Sequence, residues 1–190
     1  MKTSRIEAFS EGVIAVIITI MVLELKVPHR GTLEALLTVM PSLLVYGLSF
    51  AVVAIMWVNH HKFMEKARRA DAALLWSNNH LLFWMSLILF AAAYLGENCH
   101  APLAVAVYGA VMGCTSAAFL ILQTVLAKQD GKDVARQIEF QRLNWKATFA
   151  LTCYTASVGL AFVSVYVSFT IFVIFPMLYF WPEGKNAAAD

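Results

Sequence analysis

The residues Arg5–Pro28 read RIEAFSEGVIAVIITIMVLELKVP, and three polar side chains in that stretch could do chemistry. Glu11 stands where the apolar run begins, Thr19 in its middle and Glu24 near its end. Inside a bilayer each such group is costly, so each is expected to hold a partner or meet an ion. Other polar groups are paired in sequence, His60 with His61 and Asn78 with Asn79. A buried carboxylate needs donors, which amides, a hydroxyl and an imidazole supply. Ser10, Glu11, His60 and Asn78 or Asn79 are therefore read as one network that fixes the first helix. A proton relay is the rival use. The cluster lies at one membrane level, however, and no further acids continue it through the core.

Several other chemistries find no support. Cys99, Cys114 and Cys153 have no zinc or redox spacing. Two of them fall within spans and act as small apolar fillers. Adjacent histidines on a helix point about 100° apart and cannot easily ligate one ion; helical zinc pairs are four residues apart. One histidine is expected to bond within the bundle and the other to face the headgroups. No Walker loop, dinucleotide-binding glycine pattern or nucleophile elbow appears. The chain is therefore not expected to be an enzyme or to need a cofactor. It also lacks a carbonyl filter of the TVGYG type.

The elements that must position these residues are membrane helices. The chain has 190 residues, 61% hydrophobic and 14% charged, with a mean hydropathy of +0.71. Soluble domains average about 25% charged residues. A crossing helix needs roughly 20 apolar residues. Spans are expected near Ile6–Leu25, Leu36–Asn59, Ala72–Leu95, Pro102–Leu126, Lys146–Val163 and Ser164–Trp181. The last two come from one apolar stretch, Ala147–Trp181. As a single helix it would be about 52 Å long, too long for a core of roughly 30 Å, so it must turn back near Val163–Tyr166. The first span has no small-residue cleavage site and reads as retained. Trp57, Trp76, Trp145 and Trp181 fall near span ends, as interface anchors do. With the N-terminus inside, twelve Lys and Arg fall on the cytoplasmic side and two, Lys26 and Arg30, outside. That asymmetry predicts six spans with both termini cytoplasmic. It also explains the basic loops without nucleic acid. The fold class is thus an all-α, multi-pass membrane protein, with residues 1–190 forming one domain in a lipid bilayer.

On a helical wheel with 100° per residue, Gly12, Val16, Thr19, Ile20 and Leu23 form one stripe with Phe9 on the same side. Glu11 lies about 140° away, Glu7 opposite and Glu24 about 80° off the stripe. Two specialised faces imply two tasks. Glu24 would either concentrate cations at an outer mouth or pair with Lys26 or a neighbouring helix. A transporter would show broken helices around a midplane site. Pro41 and Pro176 could break the second and sixth helices, but no charged residue accompanies either.

The segment RIEAFSEG resembles the Arg-x-x-x-Phe-Ser-Asp signature of the transmembrane protein 175 family of potassium channels. Here it reads Arg5, Phe9 and Ser10, with Glu11 in place of Asp. VLELKVP, WVNHHKF and the asparagines of the third helix are similar to that family too. The resemblance implies a prokaryotic plasma-membrane channel, a homotetramer whose first helices line a central pore for potassium ions. It implies a constriction at Val16, with Ile20 and Leu23 further outward, and a selective threonine layer at Thr19. Arg5 and Phe9 join the network that locks the first helix. The departures are Glu for Asp, which lengthens one arm, and valine for the family's bulkier constriction residue.

Overall fold

The computed structural model describes the backbone of residues 3–129 and 134–180, and the side chains of residues 3–129 and 145–177. Six helices occur among them and no strand. They are α1 (Thr3–Leu23), α2 (Leu33–Met64), α3 (Ala72–Glu97), α4 (Pro102–Gln129), α5 (Val134–Leu160) and α6 (Val165–Phe180). α1 to α4 are each long and apolar enough to cross a membrane, and α6 carries a shorter apolar stretch, Val165–Met177. Trp181, Lys132, Lys185 and the terminal tail lie outside the described residues. So do the side chains of Arg136 and Arg142.

Helix ends follow local chemistry. Thr32 caps α2, its hydroxyl accepting from the Ala35 N–H at 3.3 Å, and Asp71 caps α3 by accepting from Leu74 N–H at 2.9 Å. Both caps satisfy an orphan donor of the first turn. Pro102 opens α4, where its missing N–H is harmless. The turn between α5 and α6 occupies residues 161–164, slightly before the expected hairpin. α5 begins at Val134 rather than near Lys146, because no Gly or Pro stops the helix before Gly159. α1 ends at Leu23, two residues short of the expected boundary, which leaves Glu24 in the following turn. Pro41 and Pro176 lie inside continuous helices and break neither. At 32 residues α2 is about 48 Å long, so it outruns the hydrocarbon core.

The helices alternate up and down. α4 is the hub, packing against α3, α5 and α6, while α1 lies on α2 and α3 at one edge of the bundle. Leu74, Leu81, Met85, Ile88 and Leu95 of α3 and Met112 and Leu122 of α4 are fully buried. Tyr108 of α4 reaches Ser49 of α2 at 3.0 Å, and its ring meets Phe172 of α6 edge-on at 4.9 Å. Lipid tails are as apolar as the side chains, so association depends on close packing and small residues. Gly109 meets α5 closely: a Cβ there would sit 2.5 Å from Ser157 Oγ.

Gly96 provides a direct test of such packing. A Cβ at this position would lie 2.9 Å from the Ser42 Cα, so α2 and α3 must part to admit it. Gly96→Ala is expected to cost about 1–3 kcal/mol. Gly47→Ala is the control, since nothing lies within 4 Å of its new methyl. Thermal unfolding in detergent checks the pair: only the Gly96 variant should melt earlier.

Candidate functional site

α1 has two faces, and the sequence dictates both. Ile6, Ser10, Ile14, Ile17 and Met21 are buried against the bundle. On the 100° wheel they centre about 120° from Val16. The other face stays open in the single chain. Val16 is 53% exposed, Ile20 41%, Leu23 79% and Phe9 57%, and Gly12 and Thr19 are exposed among them. The stripe grouped by the wheel is therefore the face of α1 turned away from α2 and α3. Thr19 donates its hydroxyl to backbone carbonyls, with Ala15 O and Val16 O each 3.0 Å away. That bond uses the hydrogen and leaves the oxygen lone pairs on the open face.

The buried face carries a polar chain. Asn78 Nδ2 donates to Ser10 Oγ at 2.9 Å, and Ser10 Oγ donates to Ile6 O at 2.8 Å. The remaining amide oxygen of Asn78 lies 2.8 Å from His60 Nε2. Because that oxygen only accepts, the imidazole must carry its hydrogen on Nε2. Ser10, His60 and Asn78 are all buried, so α1, α2 and α3 are joined at one level by groups that have lost water. His60 Nδ1 is buried without a hydrogen-bond partner among the described residues.

Glu11 is absent from that chain. It turns to the other histidine, with His61 Nδ1 3.1 Å from Glu11 Oε1 and equally 3.1 Å from Glu7 Oε1. The expected single network is thus two groups, one buried and the other half-buried around two carboxylates. The reason is geometric. Glu7 and Glu11 are four residues apart and share a side of α1, whereas Ser10 points toward α3. Asn79 is exposed and takes no place beside Asn78, since adjacent helical residues diverge. Arg5 and Phe9 are on the exposed side of α1. His60 bonds inside and His61 sits at the rim. The spacing of Glu7 and Glu11 was the signal that could have revealed the second group.

At the opposite end, Lys26 pairs with Glu97 of α3 rather than with Glu24. That hydrogen bond and the adjacent charge hold the Lys26 ammonium above its usual range. Glu24 is exposed and lines a cleft with Lys26, Glu97, Ser42 and Tyr46.

These elements define a multi-pass helical membrane protein whose first helix presents an open stripe with one hydroxyl. The profile of the family described as Endosomal/lysosomal potassium channel TMEM175 matches residues 5–88. A protein of Chryseobacterium sp. named a potassium channel is 33% identical over 97% of this chain and 96% of its own length. The crystal structure of a lysosomal potassium-selective channel TMEM175 homolog from Chamaesiphon minutus superposes with a TM-score of 0.84 at 31% identity, over 93% of this chain and 95% of that one. The human protein named Endosomal/lysosomal proton channel TMEM175 is 33% identical over 39% of this chain, but only 17% of its own length is matched. The chain belongs to the TMEM175 family.

Proposed function

We propose that this chain is a potassium-preferring cation channel, formed by four copies with α1 innermost and both termini cytoplasmic. The observation that carries it is the open face of α1. Gly12, Val16, Thr19, Ile20 and Leu23 are turned away from their own bundle along the helix length. The names of the similar potassium channels support the same reading. In this arrangement Val16 narrows the bore, and Ile20 and Leu23 continue the apolar wall outward. Thr19 supplies a ring of four oxygens one turn beyond the constriction. Glu24 stands past the end of α1 and raises the local cation concentration. The Ser10–Asn78–His60 chain holds each α1 to its own subunit.

The selective step is tested by Thr19→Val, which keeps the shape and removes the oxygen. Potassium sheds water more readily than sodium, so an oxygen ring that replaces hydration favours it. Losing that contact, at about 0.5–1.5 kcal/mol, is expected to reduce the potassium-to-sodium permeability ratio about two- to tenfold. Reversal potentials of purified protein in planar bilayers, under bi-ionic potassium and sodium, give the ratio directly. An identical ratio in both proteins assigns the hydroxyl to the helix backbone alone. A reversal potential that follows the proton gradient instead would establish the rival reading, proton-coupled transport.

A further inference from the structure

We propose that Glu7, Glu11 and His61 bind a first-row divalent metal ion of the zinc class, through His61 Nδ1 and one oxygen of each carboxylate. Two pairs of side chains, each four residues apart, face one another here: Glu7 and Glu11 on α1, His61 and Glu65 on α2. His61 Nδ1 is 3.1 Å from both α1 carboxylates, and Nε2 is 3.5 Å from Glu65 Oε1. The ligand atoms of Glu7, Glu11 and His61 all lie within 4.8 Å of one another.

The proton count makes this arrangement informative. Trp57 stacks on the ring face, while the groups that meet the ring nitrogens are carboxylates, and an ionised carboxylate only accepts. A neutral imidazole has a single N–H. With the N–H on Nδ1, the ring donates to the α1 carboxylates. With the N–H on Nε2, the Nδ1 lone pair and the two carboxylate oxygens converge on one point, where a metal ion can bond all three atoms. Bonds of about 2.0–2.2 Å in a tetrahedron place ligand atoms roughly 3.3–3.6 Å apart, close to the 3.1 Å from His61 Nδ1 to each carboxylate.

The donor set selects the ion. Calcium and magnesium favour oxygen ligands throughout, whereas an imidazole beside carboxylates suits zinc and its neighbours. Three protein ligands leave a fourth position for water. Glu65 supplies the outer carboxylate that a metal-bound histidine characteristically has behind it. The three side chains are between 23% and 42% exposed, and α2 runs beyond the hydrocarbon, so an aqueous ion has a route in. Occupancy would tie the first turns of α1 to the last turns of α2. It does not depend on the channel reading.

The test is zinc chloride added to the purified, chelator-washed full-length protein. Equilibrium dialysis with elemental analysis is expected to give one zinc per chain, and thermal unfolding is expected to shift upward. Cobalt in place of zinc is expected to give the visible absorption of a tetrahedral site. Glu7→Gln should weaken zinc binding at least about tenfold, and Glu65→Gln, behind the ring, about tenfold. His100→Ala, in the turn with Cys99, should leave it unchanged. Wild-type protein that retains no zinc above a metal-free control overturns the site and leaves His61 as a hydrogen-bond partner of the carboxylates. Binding unaltered by Glu7→Gln overturns it equally, and since the wild-type measurement needs no variant, a misfolded mutant cannot obscure the answer.

Discussion

Val16→Asn is expected to raise the resting potassium current by an order of magnitude or more at equal protein. Val16 is 53% exposed on the open face of α1, on the same stripe as Gly12 and Ile20. In the proposed tetramer four such isopropyl groups meet across the bore. A narrow apolar ring expels water, and an ion crossing it must leave its hydration shell without replacement. Asparagine has similar bulk but offers an acceptor and two donors, so water returns. Each reduction of about 1.4 kcal/mol in the crossing barrier multiplies the rate about tenfold. Single-channel recording separates conductance from open probability. Val16→Ala serves as the size control: it widens the ring without making it polar, so a gain in Asn well beyond that in Ala identifies wetting as the cause. Equal currents in all three proteins would move the constriction to Ile20 or Leu23.

The outcome for Val16 rests on a face legible in the sequence, whereas the outcome for α1's anchoring does not. Helical periodicity sorted Val16, Thr19 and Ile20 from Ile14 and Ile17, because a 100° step is a property of the backbone. The six helices were legible because a span needs about 20 apolar residues and Pro102 marks the start of α4, but the polar first turns of α5 and the extra length of α2 lie beyond what hydropathy reports. The partners of the polar groups were not. Glu11 meets His61 rather than His60, and Asn78 rather than Asn79 turns inward. Those choices depend on the rotation of α2 and α3 about their own axes, which neighbours such as Gly96 and Ser42 set through close contact. Hydropathy is too uniform along these helices to report it. Lys26 is a parallel case: Glu24 is nearer in sequence, but Glu97 at the end of α3 takes the ion pair.

Asn78→Ala is expected to have the largest effect on stability. Asn78 is the central link of the buried chain, bonded to Ser10 at 2.9 Å and to His60 at 2.8 Å. Truncation removes both bonds at once. The His60 Nε2–H is then left without an acceptor in a site where the ring is fully buried. An orphaned buried donor costs roughly 1–3 kcal/mol, and the lost volume adds to it. A total of about 3 kcal/mol is a large fraction of the 5–15 kcal/mol by which proteins are commonly stable. Ser10→Ala should be milder, at about 1 kcal/mol: the bond from Asn78 and the local bond to Ile6 O are lost, but that carbonyl lies within α1 and His60 keeps its acceptor on Asn78. Asn79→Ala, on the exposed side, should fall within about 0.5 kcal/mol of wild type. Thermal melting in detergent, read by size-exclusion elution, ranks the three variants. A double mutant of Ser10 and Asn78 should cost less than the two single changes together, since both remove the same bond. If Asn79→Ala proves as damaging as Asn78→Ala, Asn79 rather than Asn78 faces the bundle, and the contacts of Ser10 and His60 with Asn78 fall with it.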